Sequence, residues 1–377
     1  PPSSFPVARR IDYLFQDLVS RDLNVEVVTT NDIRYENNTN LNSYNDNNII
    51  RINLNSPIYK FKIFKYIKYF ASSLFYIFKI RPTLIITSSG RLGSLIIPFL
   101  INKIFLINYV VDYRDIFSSN FSEFFFKQLF IKKFIKNILF SIEKKIFENA
   151  LHVNVVTQGM KKYYDSLGMN TSKWSVITNG FDPKNIKFPK HQPIIKKDKF
   201  NIVYTGNIGF GQGFEDTISF IGQNLDKNKF IFHIYGNGKS LKFIQQIVDD
   251  NKFNHIQIHD VQSQIKIQEI QSQADMLYFQ LSKNKSVDYA IPSKVFEYLV
   301  HNKKIVGLIN KGNKNKIQKI SDNIKIFTHD ELLNMITYVN NFKFENQISK
   351  NTNFNSYNLK NLMKKFSDLI LVAHANK

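Results

Sequence analysis

The sequence predicts an α/β protein made of two Rossmann-like domains in series. The first observation is length, because 377 residues are too many for one ordinary hydrophobic core. The second is a repeated alternation of short apolar runs with amphipathic runs, which indicates parallel strands joined by crossover helices. The third is a stretch rich in Pro and Lys, residues 184–199, which separates two such series and is typical of a linker.

The first domain is predicted to span residues 1–183. Residues 9–21 have the spacing of a helix and precede the apolar run "NVEVVTT". Residues 31–55 are rich in Asn and lack periodicity, which predicts a long exposed loop. Because Pro1 resembles the loop that follows a strand, we expect the first strand of this domain upstream of the sequence.

Strand-then-loop units follow at residues 81–89 and 105–115, with a helix from Arg91 between them. Residues 143–157 predict a helix and then a strand, and residues 173–183 a strand that ends at Asn-Gly. These alternating units continue the parallel sheet of the first domain.

The second domain is predicted to span residues 200–355. Its strands are "FNIVYTGNIG", "KFIFHIYGNG", "HIQIHD", "ADMLYFQL" and "KKIVGLI", with helices between them. Residues 356–377 form an amphipathic helix, which we expect to pack back on the first domain.

The amino-acid composition restricts the kinds of site and partner that the protein can have. The sequence has no Cys, which excludes disulfides and thiolate metal sites and favours the cytoplasm. The formal net charge of +21 favours an anionic partner: nucleic acid, anionic lipid or a phosphorylated substrate. The most apolar run, residues 94–111, is interrupted by Pro98, Asn102 and Lys103, so it predicts a short helix and a strand and not a membrane span.

Two glycine-rich turns follow strands of the second domain, at residues 204–216 and 235–241. Glycine lets a backbone approach a ligand closely, and the start of the next helix offers N–H groups to a phosphate. The same glycines also suit a tight strand-to-helix turn without any ligand. Both interpretations stay open for these turns taken by themselves.

The stretch "IPSKVFEYL" is more specific. Pro292 and Ser293 favour the start of a helix, so Lys294 lies in its first turn, where a cation is unfavourable beside the helix dipole. A docked diphosphate would reverse that cost, and Glu297 could accept hydrogen bonds from two vicinal hydroxyls. The alternative is a solvated Lys–Glu pair worth a few tenths of a kcal/mol.

The first domain also has charges after a buried strand. In "VVDYRDIFSSN", Asp112, Arg114 and Asp115 follow an apolar run. Parallel sheets bind ligands at the carboxyl ends of their strands, so these residues are candidates. A surface ion pair that caps the next helix explains the stretch nearly as well.

Two stretches mix aromatic residues with Lys, at residues 56–80 and 122–145. This mixture is typical of helices that lie on an anionic bilayer, although nucleic acid or a core helix with a lysine-rich face would use the same residues. In the second stretch, Ile131, Ile135, Ile138 and Ile142 are predicted to face inward. The candidate membrane or acceptor residues are Phe124, Phe125, Phe126, Lys127, Lys132 and Lys133.

The order of these motifs resembles the family 4 glycosyltransferases of GT-B fold, in particular the subgroup of O-antigen and capsule assembly such as the N-acetyl-fucosamine transferases. The segments that carry the resemblance are residues 1–30, "TSSGRLGSLIIP", "VVDYRDIFSSN", residues 148–183, "YTGNIGFGQGFED", "IYGNG" and "IPSKVFEYLVHNKKIVG". The resemblance implies two Rossmann-like domains with a catalytic cleft between them.

The resemblance also implies roles for the candidate residues. Lys294 would bind the diphosphate of a nucleotide-sugar, which this subgroup favours as the UDP form, and Glu297 its ribose. Arg114 and Asp115 would lie near the acceptor and the reacting carbon and, with Lys294, form the catalytic set. The remaining nucleotide-sugar-binding residues would be Gly206, Asn207, Gly209, Gln212, Gly236, Asp288, Tyr289, Ala290, Ile291 and Ser293.

The sequence departs from many relatives at three of these positions. Gln212 stands where many have a phosphate-binding Lys, Tyr289 where many have a Glu, and Arg114 where many have a His. The family implies a retaining transfer without metal or other cofactor, to a glycan or lipid-linked acceptor at the inner face of the cytoplasmic membrane. A GT-B nucleotide-sugar 2-epimerase and a basic nucleic-acid-binding protein are the alternatives, and we expect no nucleic acid.

Overall fold

The computed structural model describes residues 6–31, 48–54, 62–119, 121, 129–181, 198–343 and 354–376. The chain divides into two compact units. Unit 1 contains Pro1–Asn179 and Leu359–Lys377, and unit 2 contains Gly180–Asn358. The C-terminal helix therefore belongs to unit 1, while the predicted linker lies outside the described residues apart from Asp198 and Lys199.

Unit 1 is built on parallel strands. A two-stranded sheet pairs β1 with β2, and a four-stranded sheet has the order β3-β4-β5-β6. The elements are α1 (Pro6–Val19), β1 (Val27–Asn31), β2 (Ile49–Asn53), α2 (Lys62–Ile80), β3 (Leu84–Ser89), α3 (Leu92–Phe105), β4 (Asn108–Tyr113), α4 (Leu129–Asn149), β5 (His152–Val155), α5 (Gln158–Ser166), β6 (Ser175–Val176) and, from the end of the chain, α12 (Leu359–Ala375).

Helices α1 and α12 share one core. Leu14 and Leu18 of α1 are buried against Met363 and Phe366 of α12. These pairs recur at helical spacing, so each helix turns one apolar stripe inward. The amphipathic pattern of residues 359–375 thus places the end of the chain on unit 1.

Two elements of unit 1 differ from the sequence predictions. The Asn-rich segment contains β2, where Ile52 is buried, so the prediction of an uninterrupted loop over residues 31–55 was wrong; its central residues 32–47 lie outside the described ones. Helix α3 also continues through Pro98. Proline cannot donate to the carbonyl of Ser94, and Thr87 Oγ1 donates to that carbonyl instead, at 3.1 Å.

Unit 2 contains a six-stranded parallel sheet of order β12-β11-β10-β7-β8-β9. Its elements are β7 (Phe200–Thr205), α6 (Ile218–Asn224), β8 (Phe230–Tyr235), α7 (Leu241–Asp250), β9 (Ile256–His259), α8 (Gln264–Gln273), β10 (Met276–Gln280), α9 (Ser293–Leu299), β11 (Lys304–Ile309), α10 (Lys314–Gln318), β12 (Ile324–Thr328) and α11 (Leu332–Asn340). The order reverses between β7 and β10, and doubly wound sheets bind ligands at the carboxyl ends of the strands at that point.

Both faces of this sheet are covered by apolar cores. One core includes Tyr204, Phe214 and Phe232, and the other includes Val203, Phe279 and Phe296. Buried on both sides, the strands show continuous apolar runs without alternation, which is why the sequence revealed most of them. Strand β12 was missed because "IKIFT" is short and interrupted by Lys325.

Candidate functional site

Two glycine-rich loops meet at the reversal point of the unit 2 sheet. The loop after β7 begins at Gly206, whose N–H donates to the Tyr235 carbonyl at 2.8 Å, and Ile208 N–H donates to the Asn237 carbonyl at 2.9 Å. Gly236 has a φ of 152°, and a Cβ at this position would collide with the Gly206 carbonyl oxygen. Because glycines have no Cβ, the backbones of the two loops can lie in direct contact here.

The Lys294 side chain occupies the space that a side chain at position 206 would take. A Cβ on Gly206, whose φ is 136°, would collide with the Lys294 Nζ, and this Nζ lies 5.4 Å from the centre of the Tyr204 ring. Within the described part of the chain the ammonium has neither a hydrogen-bond acceptor nor a carboxylate within 4.0 Å. Burial lowers the pKa of Lys294, and the charge of Glu297 opposes that shift.

The turn that receives Lys294 has no other cation. Residues 206–213 contain no Lys or Arg, and Gln212 shapes the turn instead. Its Oε1 accepts hydrogen bonds from Asn207 Nδ2 at 3.1 Å and from Gly209 N–H at 3.2 Å. Lys294 of α9 thus places a positive charge against a turn whose own residues carry none.

Helix α9 fixes the position of Lys294. The helix begins at Ser293, with Pro292 as its N-cap residue, so Ser293 occupies the first helical position and not the cap. One turn beyond Lys294, the Tyr298 hydroxyl accepts the Thr205 N–H at 3.0 Å. Gln271 Nε2 in turn donates to Thr205 Oγ1 at 2.7 Å. Tyr298 thereby joins the helix to the last residue before Gly206.

We expect Tyr298→Phe to cost roughly 1–3 kcal/mol of unfolding free energy, because it leaves the buried Thr205 N–H without an acceptor. Chemical denaturation measures this loss. Tyr338→Phe, which removes a hydroxyl from the half-buried α11 of the same unit, is the matched control. Equal stability of both variants and the wild type would contradict the proposed anchor.

A second set of contacts holds the segment from Asp288 to Ile291. Asn310, just after β11, donates through Nδ2 to Asp288 Oδ1 at 2.6 Å and to the Ser282 carbonyl at 3.3 Å. Asn313 Nδ2 donates to the Ala290 carbonyl at 2.9 Å. Sequence reasoning missed both asparagines, although polar residues beside Gly312 at the end of an apolar strand were a usable signal.

The remaining predicted donor residues lie around the same strand ends. Tyr289, Ile291 and Glu297 are partly exposed, and burial together with the charge of Asp288 raises the pKa of Tyr289. Glu297 makes no hydrogen bond or ion pair with any described residue. Unit 2 thus brings together the glycine turns, Lys294, Glu297 and the segment 288–291.

In unit 1, the charges after β4 have two different roles. Asp112 is buried in a bidentate ion pair with Arg10, through Nε at 2.8 Å and Nη2 at 2.9 Å. Burial would raise the pKa of Asp112, but Arg10 holds it below the ordinary value. Asp112 and Arg10 therefore stabilise the unit, and sequence reasoning did not identify Arg10.

Arg114 and Asp115 lie beyond this ion pair, at the carboxyl ends of β3 and β4. Part of the Asp115 side chain reaches solvent. Burial by the surrounding protein raises the pKa of Asp115, although the positive charges of Arg114 and Arg91 act to lower it. Arg114 is partly buried, and burial lowers its pKa. The next turn is fixed by Glu143 of α4, which accepts hydrogen bonds from Ser118 N–H and Tyr113 Oη at 2.9 and 2.6 Å.

The predicted membrane residues are only partly described. Phe124, Phe125, Phe126 and Lys127 lie outside the described residues, whereas Lys132 and Lys133 belong to α4 and reach solvent. The predicted inward stripe of α4 was wrong, since Ile131 and Ile138 are exposed. The helix is anchored instead through Glu143, Ile146 and Phe147, towards its carboxyl end.

None of the helices in the described part of the chain is long and apolar enough to cross a bilayer. The same residues contain no group of three or more His, Asp or Glu side chains able to hold a metal ion. That metal and other cofactors are unnecessary stays a prediction.

No protein-family model and no curated protein sequence matches the chain. Solved structures do resemble it. Sucrose-phosphate synthase from Thermosynechococcus elongatus has 12% identity and a TM-score of 0.71, over 97% of this chain and 93% of that one. WaaG, a glycosyltransferase involved in lipopolysaccharide biosynthesis, has 10% identity and a TM-score of 0.63, over 97% and 95%.

A third similar structure is the UDP-GlcNAc 2-epimerase from Methanocaldococcus jannaschii, with 10% identity and a TM-score of 0.59, over 96% of both chains. At these identities the likeness shows the fold, which is the α/β GT-B fold with two Rossmann-like domains. The predicted fold class is therefore confirmed.

Proposed function

We propose that the protein is a retaining glycosyltransferase that moves a sugar from a nucleotide-sugar, UDP-linked, to a lipid-linked saccharide acceptor in surface glycan assembly. The observation that carries the proposal is the Lys294 ammonium on Gly206, a cation that makes no ion pair with the described residues and lies at the reversal point of a doubly wound sheet. WaaG, which shares the fold, is a glycosyltransferase involved in lipopolysaccharide biosynthesis.

The proposed mechanism assigns the diphosphate to Lys294 and to the N–H groups of the Gly206 turn. The bond between the anomeric carbon and the diphosphate oxygen breaks, and the sugar passes through an oxocarbenium-like state. The acceptor hydroxyl attacks from the face that the diphosphate leaves, and a diphosphate oxygen takes its proton. Negative charge grows on the diphosphate, so a preorganised cation stabilises the transition state more than the bound substrate.

Thermal-shift measurements with UDP, GDP and ADP and their sugars test the donor class. We expect UDP and at least one UDP-sugar to raise the melting temperature, since a ligand that binds the folded state stabilises it. If no nucleotide raises the melting temperature, the proposal is overturned. If only GDP or ADP raises it, the choice of UDP is overturned.

Glu297 is proposed to bind the ribose hydroxyls. Wild-type protein is then expected to bind UDP more tightly than 2′,3′-dideoxy-UDP, whereas Glu297→Gln binds the two about equally. Titration calorimetry measures both affinities, with Asp250→Asn at the exposed end of α7 as a control for the loss of one negative charge. A Glu297→Gln variant that still prefers UDP would remove the ribose role.

An epimerase is the second candidate, because the archaeal UDP-GlcNAc 2-epimerase shares the fold. The two activities differ in their need for an acceptor. Incubation with UDP-GlcNAc and no acceptor, followed by NMR, detects the 2-epimer. Rapid formation of the epimer would replace the transferase proposal.

An anionic membrane is the proposed surface partner of unit 1. Helices α2 and α4 both pack against α3, and Phe75 of α2 and Phe130 of α4 are 62% and 82% exposed. Leu106, at the end of α3, is 83% exposed. Exposed Lys65 and Lys133 belong to the same helices, a combination suited to the interface of an anionic bilayer.

Flotation with phosphatidylglycerol vesicles tests this surface. We expect the wild type to float at low salt and the double variant Phe75→Ser/Phe130→Ser to float several-fold less, because it removes apolar area from the bilayer. Phe243→Ser, which changes an exposed phenylalanine of unit 2, should float like the wild type. Equal flotation of all three proteins would contradict membrane docking through these helices.

A further inference from the structure

The carboxyl ends of β3 and β4 bring two arginines to one corner of unit 1. The Arg114 N–H donates to the Ser89 carbonyl at 3.4 Å, and the Arg91 N–H donates to Ser89 Oγ at 2.9 Å. Gly90, between Ser89 and Arg91, lies against Asp115, whose Cβ is 2.7 Å from the place of a Gly90 Cβ. The loops after the two strands are therefore in direct contact, and each contributes one arginine.

Arg114 lacks the partner that a partly buried guanidinium normally has. Its buried Nε makes no hydrogen bond, and no carboxylate of the described residues lies within 4.0 Å of its charged nitrogens. Buried charges are usually paired, because desolvation is costly unless hydrogen bonds replace the lost water. The sequence places two carboxylates beside Arg114, so the missing pair needs an explanation.

The explanation begins with Asp112, whose two oxygens are already occupied. Oδ1 accepts Arg10 Nη2 at 2.9 Å and Asn154 Nδ2 at 2.7 Å. Oδ2 accepts Arg10 Nε at 2.8 Å and Ser88 Oγ at 2.8 Å. Asp112 therefore has no lone pair left for Arg114. Because Arg10 occupies Asp112, the Arg114 guanidinium does not pair with that carboxylate.

Arg91 adds a second positive charge at the same corner. Its side chain is exposed and makes no hydrogen bond or ion pair with the described residues. The first turn of α3, which follows it, holds no acidic residue. Asp115 stands beside both arginines, so two positive charges against one negative charge leave the corner net positive.

We propose that Arg91 and Arg114 bind a phosphate or diphosphate group carried by the acceptor. Arg91 and Arg114 make no ion pair with the described residues, and the planar guanidinium of an arginine matches two oxygens of a phosphate. The donor diphosphate already has its own cation, Lys294, in unit 2. The inference rests on the proposed function and deepens it, since it assigns an anionic group to the acceptor.

Titration of inorganic pyrophosphate into protein saturated with UDP tests this site. We expect the wild type to bind one pyrophosphate and Arg114→Gln and Arg91→Gln to bind it roughly 10- to 100-fold more weakly, as loss of a charged hydrogen bond implies. Arg114→Lys keeps the positive charge but lacks the planar N–H donors of a guanidinium, so its affinity for pyrophosphate is expected to be intermediate. Arg81→Gln, at the amino end of β3, should bind like the wild type.

Geranyl diphosphate in place of pyrophosphate distinguishes a lipid-linked group from the free anion. Binding of geranyl diphosphate that depends on Arg91 and Arg114 supports the acceptor assignment, whereas binding of pyrophosphate with none of geranyl diphosphate overturns it. Wild-type protein that binds neither anion, or glutamine variants that bind as the wild type does, would overturn the site itself.

UDP affinity separates this inference from the proposed function. All arginine variants are expected to bind UDP as the wild type does, and a selective loss of UDP affinity in Arg114→Gln would show that the arginines serve the donor. If the wild type binds no UDP, the proposed function fails. The same pyrophosphate titration without UDP, compared between wild type and Arg114→Gln, still decides whether this anion site exists.

Discussion

Replacement of Lys294 by alanine is expected to lower the rate of sugar transfer, kcat, by roughly 10²–10³-fold while the protein stays folded. The reason is the growth of charge on the diphosphate as the sugar leaves. Lys294 lies against Gly206 and makes no ion pair with the described residues, so its charge is available to that group. Steady-state kinetics measure the loss, and circular dichroism confirms the fold.

Two variants sharpen this prediction. Lys242→Ala removes an exposed lysine from α7 of the same unit and should leave kcat unchanged. Lys294→Arg keeps the charge, but a planar guanidinium differs in shape from the ammonium that lies against Gly206, so we expect little recovery. Wild-type turnover by Lys294→Ala would contradict the mechanism.

Replacement of Arg10 by methionine is expected to destabilise unit 1 by about 3–5 kcal/mol, because it leaves the Asp112 carboxylate buried and uncompensated. The same change removes the donors to the carbonyls of Ile177 and Thr178, at 3.0 and 2.8 Å. Denaturant unfolding followed by far-UV circular dichroism measures the loss.

Arg21→Met is the matched control. Arg21 pairs with Asp17 and Asp368 on the surface, where ion pairs contribute about 0–1 kcal/mol. A loss of stability in Arg10→Met no larger than that of Arg21→Met would contradict the role assigned to the buried pair.

The same ion pair gives a pH dependence. Because the pKa of Asp112 is lower in the folded protein than its ordinary value, the pair contributes fully above about pH 4 and is lost as the pH falls through the folded pKa. In Arg10→Met the uncompensated carboxylate has a raised pKa and is relieved by protonation as the pH falls, so the difference in stability between wild type and variant should shrink steadily from neutral to acid pH. Denaturant titrations at pH 7 and pH 3 provide this comparison.

The fold was largely predictable because its strands are buried on both faces. Continuous apolar runs such as "FNIVYT" and "ADMLYFQL" stand out in the sequence, and crossover helices follow from parallel pairing. The failures occurred where local pattern competes with context. Strand β2 depends on pairing with β1, and α3 continues through Pro98 because Thr87 satisfies the Ser94 carbonyl.

The candidate site was predictable only in part. Lys294 and Glu297 were recognisable, since a cation in the first turn of a helix conflicts with the helix dipole and indicates a ligand. Tyr298, Asn310 and Arg10 were not, because their partners are distant in the chain: Tyr298 meets Thr205, and Arg10 meets Asp112. Such contacts follow from the folded sheet and leave no local pattern.

The most direct measurement of the central claim is a calorimetric titration of UDP into wild-type protein and Lys294→Ala. We expect one UDP site in the wild type and an affinity roughly 10- to 100-fold lower in the variant, because one charged contact to the diphosphate is lost. Uridine, which lacks phosphate, should bind both proteins equally. Equal UDP affinity in the two proteins, or no UDP binding by the wild type, would contradict the role of Lys294 in binding the diphosphate.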